Sequence, residues 1–233
     1  MIRRRTVGAA AFALAAVVGL TVLLAAAYGG GTAAGRIDRA VSAMERLQGV
    51  RFTFEARSRA SGDSAPGGEL LTIVDGTGEL GPPDRLQLRI FAGGVPHDIV
   101  LIGDRAWVDG RRAERGTTGP LGRPLAAFEA LRGSGTARAV GLGWVRGGLT
   151  ARFQIALGPL DLLDRLGPGA GIAPGSSGVI EVDLGLFDDL IRAQSFQVRE
   201  TSDDGGTGLD RVESGYRLEY SAWDRPVRIR EPE

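Results

Sequence analysis

The chain has no cysteine, no lysine, no asparagine and a single histidine, His97. Without cysteine there is no disulfide, no thiol nucleophile, no Cys-ligated zinc, no iron–sulfur site and no lipobox thiol to carry a lipid. A lone imidazole acts as a general base only with a nucleophile or acid in reach. His97 follows Pro96 beside a turn, where a surface structural role is expected, with Asp98 on the opposite face of a regular strand. There is no His pair for a metal, no calcium-loop pattern and no Gly-x-Ser-x-Gly elbow. Gly167-Pro168-Gly169-Ala170-Gly171 lacks the lysine and Ser/Thr of a phosphate loop. Two carboxylate pairs, Asp188-Asp189 and Asp161/Asp164, are present. Adjacent residues on a strand point to opposite faces, and the second pair sits on a Leu-rich stretch read as a helix, so both are read as solvated surface. The chain is therefore expected to be no enzyme and to need no cofactor or metal.

Charge excludes another class. Lysine and arginine number 28 and so do aspartate and glutamate, for a formal net charge of zero. All the basic residues are arginine, and the absence of lysine and asparagine reads as the codon bias of a GC-rich genome. Acidic residues are interspersed, and no basic block follows Arg5, so no nucleic acid is expected as a partner.

The most informative stretch is residues 1–35. Arg3-Arg4-Arg5 precedes an unbroken apolar run, Val7 to Tyr28, and a glycine hinge, Gly29-Gly30-Gly31. Such a run is long enough for a hydrocarbon core of about 30 Å, and the arginines would hold its start in the cytoplasm. It is read as a signal peptide or an uncleaved transmembrane anchor. Ala25-Ala26-Ala27 offers a cleavage site, while the run exceeds the usual signal core. A twin-arginine reading of Arg3–Arg5 is weak. The remainder, 36–233, is expected at the extracytoplasmic face of the plasma membrane or secreted, as one unit large enough for a real core.

Arg36 to Gln48 reads as an amphipathic helix: Ile37, Ala40, Val41, Met44 and Leu47 share a face, with Arg36, Asp38, Arg39, Glu45 and Arg46 opposite. Gly49 is placed to end it. The helix either packs on a sheet or lies across the mouth of a barrel. Strict alternation follows in 51–57, 85–90, 180–184, 216–220 and 227–230, the period of half-buried strands in an antiparallel sheet. Turn signals separate them at Ser61-Gly62-Asp63, Gly81-Pro82-Pro83-Asp84, Gly93-Gly94, Gly103-Asp104 and Asp203-Asp204-Gly205-Gly206. Leu125–Leu131 and Leu160–Leu166 read as short helices within the Gly- and Pro-rich segments 110–124, 133–148 and 167–178, which are either surface loops or flaps around an opening. The fold class is mainly β with a few helices (α+β): a curved antiparallel sheet or half-open β-barrel with helices at its mouth.

Phe52, Phe54, Tyr216 and Tyr220 all fall on apolar faces of their strands, and Trp107 in a short one. They either fill an ordinary core or line a cavity for an acyl chain, each methylene of which contributes about 0.8 kcal/mol on burial. The interior is assigned to Phe52, Phe54, Leu86, Leu88, Ile90, Trp107, Ile180, Val182, Leu218 and Tyr220, with Arg51, Glu55 and Arg89 facing water.

These segments carry a resemblance. The leader, the amphipathic helix and Gly49-Val50-Arg51-Phe52-Thr53-Phe54-Glu55 resemble the start of the LolA-like lipoprotein-carrier superfamily, closest to its LppX/LprAFG lipoproteins. Residues 100–108 (Val-Leu-Ile-Gly-Asp-Arg-Ala-Trp-Val) resemble a hairpin of that family, and 216–229 its final hairpin. The resemblance implies a half-open barrel that binds a lipid or lipoprotein acyl chain as a carrier, although this chain lacks the acylated cysteine. The alternative is an envelope sensor or protein-interaction module of the same fold, with an envelope protein as partner.

Overall fold

The structure, a computed structural model, describes residues 31–61, 69–81, 84–113, 128, 131–132, 136–159, 161, 176–201 and 211–232. One helix, α1 (Ala33–Glu45), precedes β1 (Val50–Ser61), β2 (Glu69–Gly81), β3 (Arg85–Ala92), β4 (Val95–Ile102), β5 (Arg105–Val108) and β6 (Arg111–Ala113). The second half contributes β7 (Ala137–Val145), β8 (Gly148–Leu157), β9 (Ser177–Gly185), β10 (Ile191–Thr201) and β11 (Arg211–Ser221). All eleven strands form one sheet in the order β6-β5-β4-β3-β2-β1-β11-β10-β9-β8-β7. Every pairing is antiparallel, and β6 and β7 are edges that do not meet. The sheet is open, not a closed barrel.

Period-two alternation decides which face is which. Register aligns Ile99, Leu88, Gly78, Phe52 and Tyr220 across β4, β3, β2, β1 and β11. The neighbouring row runs Ile90, Gly76, Phe54, Leu218, Gln194, Val182 and Phe153. These rows belong to one apolar cluster that extends from Leu101 on β4 to Leu157 on β8. Arg51, Glu55 and Arg89 alternate onto the other face, as the period requires.

α1 begins where Thr32 accepts a hydrogen bond from the Gly35 amide at 3.1 Å, which satisfies one of the orphan donors of the first turn. Ile37, Ala40, Val41 and Met44 are buried in the apolar cluster. The helix ends at Glu45 with Arg46 as its cap, three residues before Gly49. Gly49 has a different role: a Cβ there would collide with the Arg225 carbonyl and Val227. It allows the C-terminal segment to lie against the chain.

Several sequence expectations are corrected. Arg36 is not on the wet face of α1 but almost wholly buried. Residues 227–230 do not form a strand. Ile229 is buried and Val227 partly so on the outer face of the sheet, with Arg228 and Arg230 exposed, so the alternation reports burial without a ladder. Asp188 and Asp189 lie not on a strand but in the β9–β10 turn. The segment 133–148, read as a loop, contains β7. Among the described residues α1 is the one helix of any length. Most of 125–131 and 160–166 lies outside them, although Phe128 and Leu131 are described and buried. Residues 1–30 of the leader 1–35 also lie outside, and α1 begins within it, at Ala33. No helix among the described residues is long and apolar enough to cross a membrane.

Candidate functional site: an apolar face under a crossing helix

α1 crosses the strands instead of running along one. Its first turn is tied to the β9–β10 turn, since Arg36 and Arg39 bond Asp189 at 2.9 and 3.4 Å. Its far end leads through residues 46–49 into β1, and the Gln48 amide donates to Asp224 Oδ1 at 3.1 Å just beyond β11. A helix of 13 residues is about 20 Å long, enough to pass the three ladder steps of about 4.8 Å from β9 to β1. The helix therefore covers one end of the apolar face, the end where β1 starts and β11 stops.

Beneath it the face is filled. The Phe52 and Tyr220 rings lie 6.0 Å apart, and Tyr220 and Phe128 5.6 Å apart. Burial pushes the Tyr220 phenol well above its ordinary pKa, with the neighbouring Tyr216 adding to the shift. Leu88 is 1% exposed. Farther from α1 the same face opens. Phe54, Leu218, Tyr216 and Ile90 are only partly buried, although each packs against the apolar cluster. Phe54 and Leu218 are cross-strand partners, Ile90 lies one strand beyond Gly76, and the Phe196 and Tyr216 rings meet at a tilt with centroids 5.6 Å apart. Glycine shapes this strip. A Cβ at Gly76 would come 2.7 Å from Phe54 Cε1, and one at Gly78 would collide with Phe52 and approach Leu88 Cδ2 at 2.7 Å. The two phenyl rings thus lie down on β2 instead of standing into the interior.

Of the ten residues assigned to the interior by sequence, nine lie on this face: Phe52, Leu86, Leu88, Ile180, Val182 and Tyr220 buried, Phe54, Ile90 and Leu218 half-open. Trp107 does not. β5 places it on the outer face with Val100 and Ile229, and Arg105 packs over its ring at 5.5 Å. A period-two reading of a four-residue strand does not say which face is the inner one, and the C-terminal segment covers the outer one there. Gln194 was missed. It is buried in the row between Leu218 and Val182, a polar group in an apolar layer that alternation alone does not single out.

Away from the Trp107 cluster the outer face carries paired charges. Arg51 pairs with Glu79 at 2.6 Å, Arg152 with Asp183 at 2.9 Å and Arg57 with Glu55. Arg89 grips Asp98 through two bonds of 2.8 and 2.9 Å, which hold that carboxyl below its usual range. His97 Nδ1 lies 2.8 Å from Asp109 Oδ2, a surface contact with no nucleophile in it. A groove of about 650 Å³ runs along this face past Arg57, Arg199, Glu181 and Glu213, with Leu71 and Ile73 exposed at its side.

Fold and site together define an open, curved antiparallel sheet whose apolar face is crossed by one helix among the described residues. No family model matches the sequence, and no curated protein matches it significantly. Among solved structures it is similar to the lipoprotein LppX of Mycobacterium tuberculosis, at 15% identity and TM-score 0.47, over 85% of this chain and 98% of that one. It is similar to LprF from Mycobacterium bovis at 11% and 0.49, over 86% and 96% of the two chains. A LolA superfamily protein from Nitrosomonas europaea shows 12% and 0.33, over 85% and 96%.

Proposed function

We propose that this is a non-catalytic cell-envelope protein that binds a lipid or lipoprotein acyl chain on the half-open strip of Phe54, Ile90, Tyr216 and Leu218, and carries it. The observation behind this reading is that strip: apolar side chains contiguous in register and partly exposed, continuous with a buried face that one crossing helix covers. An acyl chain needs no directional chemistry, only apolar area removed from water. The Val7–Tyr28 run would hold the domain on the extracytoplasmic side of the plasma membrane.

Native mass spectrometry of the full chain tests it. Stoichiometric lipid is expected on the wild type and its loss on Leu218→Arg. An apo mass for both, unchanged after incubation with lipid, would reject the proposal. A second reading, an interaction module for an envelope protein, is favoured by the outer groove and the exposed Leu71 and Ile73 beside it. That apo result would support it.

A further inference from the structure

We infer that the end of the domain bearing Phe187 and Trp144 docks into the outer surface of the bilayer, an inference that rests on Val7–Tyr28 being a retained membrane span. These two are the most exposed large hydrophobic side chains described, at 83% and 68%. Phe187 sits in the β9–β10 turn. Trp144 sits beside the Arg146-Gly147 turn of the β7–β8 hairpin, opposite Leu149. β8 and β9 are paired there through Thr150 and Gly185, so the two aromatics project from the same end of the sheet, about two ladder steps apart.

Their exposure is built in. In the β9–β10 turn the carboxylates are turned inward: Asp188 accepts from the Leu190 amide at 3.1 Å and pairs with Arg192, while Asp189 holds Arg36 and Arg39. The Gly185 amide donates to the Leu190 carbonyl at 2.9 Å. Arg192 in turn packs over the Trp223 ring at 4.1 Å. In the other hairpin Arg146 and Gly147 have φ of 46° and 81°, two consecutive positive values that suit a tight two-residue hairpin. Its Arg146 donates to Thr53 Oγ1 at 2.7 Å and pairs with Glu219 at 3.5 Å. Both turns are fixed by their polar groups and each presents an aromatic to the outside.

The leader ends at this same end. Only Gly29, Gly30, Gly31 and Thr32 separate Tyr28 from α1, and four residues reach at most about 14 Å when fully extended. The first turn of α1 is bonded to Asp189, two residues from Phe187. A span that finishes at Tyr28 therefore keeps this end within about 14 Å of the hydrocarbon, beside a headgroup layer several ångströms thick. Tryptophan favours that boundary, and phenylalanine joins it on the buried faces of interfacial segments. The arginines that hold the two turns, Arg36, Arg39, Arg146 and Arg192, are paired with Asp188, Asp189 and Glu219, so the turns themselves present aromatic rings and no unpaired charge. Uncharged phosphatidylcholine is the matching surface.

The absence of cysteine makes the test clean. Trp144→Cys, Phe187→Cys and, as a control at the opposite end of the sheet, Val95→Cys each receive an environment-sensitive thiol probe in the full chain. The labelled chains are reconstituted in phosphatidylcholine vesicles with or without nitroxide-labelled phosphatidylcholine. Expected are flotation of all three with the vesicles, and blue-shifted, lipid-quenched emission at 144 and 187 but aqueous emission at 95. Flotation with 144 and 187 quenched no more than 95 overturns the docking and leaves the anchor standing. Failure to float overturns both. A blue shift that grows with protein density but is not quenched by the labelled lipid means that a second copy covers the aromatics, and also overturns the docking.

Discussion

Arg36 donates through Nη2 to Asp189 Oδ1 at 2.9 Å while its guanidinium carbon lies 5.6 Å from the centre of the Phe153 ring. One side chain thus joins α1, the β9–β10 turn and β8. The arginine is buried, and the aspartate is 32% exposed with φ of 52°. Asp189→Asn keeps a residue that tolerates this backbone and removes the charge. It is expected to destabilise by about 1–3 kcal/mol in urea unfolding, because the buried guanidinium loses its charged partner. Arg36→Met with Asp189→Asn recovers part of the loss, since the buried charge is then removed with its carboxylate. Additive losses would show that the two residues do not couple.

Leu88 and Leu218 share the apolar face but not their surroundings. Leu88→Ala empties a filled site and should cost about 2–5 kcal/mol, and Leu88→Arg should fail to fold, because its charge would be buried without a partner. Leu218 borders the open strip, so Leu218→Arg should fold, with cooperative thermal melting, and lose the bound lipid. A folded Leu88→Arg with an intact melting transition would mean that the strip extends beneath Leu88.

Gly78 is where the Phe52 ring and Leu88 meet the backbone of β2. Gly78→Ala places a methyl group in both and is expected to destabilise by about 1–3 kcal/mol. Adding Phe52→Leu should restore part of this. The comparison is made by denaturant midpoints at constant m-value.

Tyr220 sets an alkaline limit. Its phenol is neutral and buried, with a folded pKa above the ordinary 10.0. As pH rises through that value the unfolded chain releases this proton before the folded one does. Stability that is complete below pH 10.0 is therefore lost progressively above it. The Tyr220 phenolate absorbance should appear together with unfolding. Tyr220→Phe should flatten the alkaline loss.

The strands most legible in the sequence are those whose alternation is carried by side chains on both faces: Phe52 and Phe54 against Arg51 and Glu55, or Leu86 and Leu88 against Gln87 and Arg89. Two of the strands not singled out, β2 and β7, contain glycine where a side chain should keep the rhythm. β2 has Gly76 and Gly78 because the phenyl rings of the next strand lie there. β7 has Gly143, where a Cβ would sit 2.7 Å from both Asp183 Oδ1 and Thr150 Oγ1. In both strands the glycine serves a neighbour distant in sequence, so nothing local announces a strand.

Periodicity is a property of the chain alone, and through it the sequence by itself determined the mainly β class, the antiparallel sense, the amphipathic helix and nine of the ten inward side chains. Position between elements is a property of pairs distant in sequence, and only the tertiary structure decided it. That is why Arg36 is buried, since its carboxylate arrives from a turn 153 residues away. It is also why Trp107 faces outward, under a C-terminal segment whose alternation looks like a strand but pairs with none. The half-open strip follows likewise, because where a single crossing helix stops depends on the turn that anchors it and not on the apolar pattern beneath.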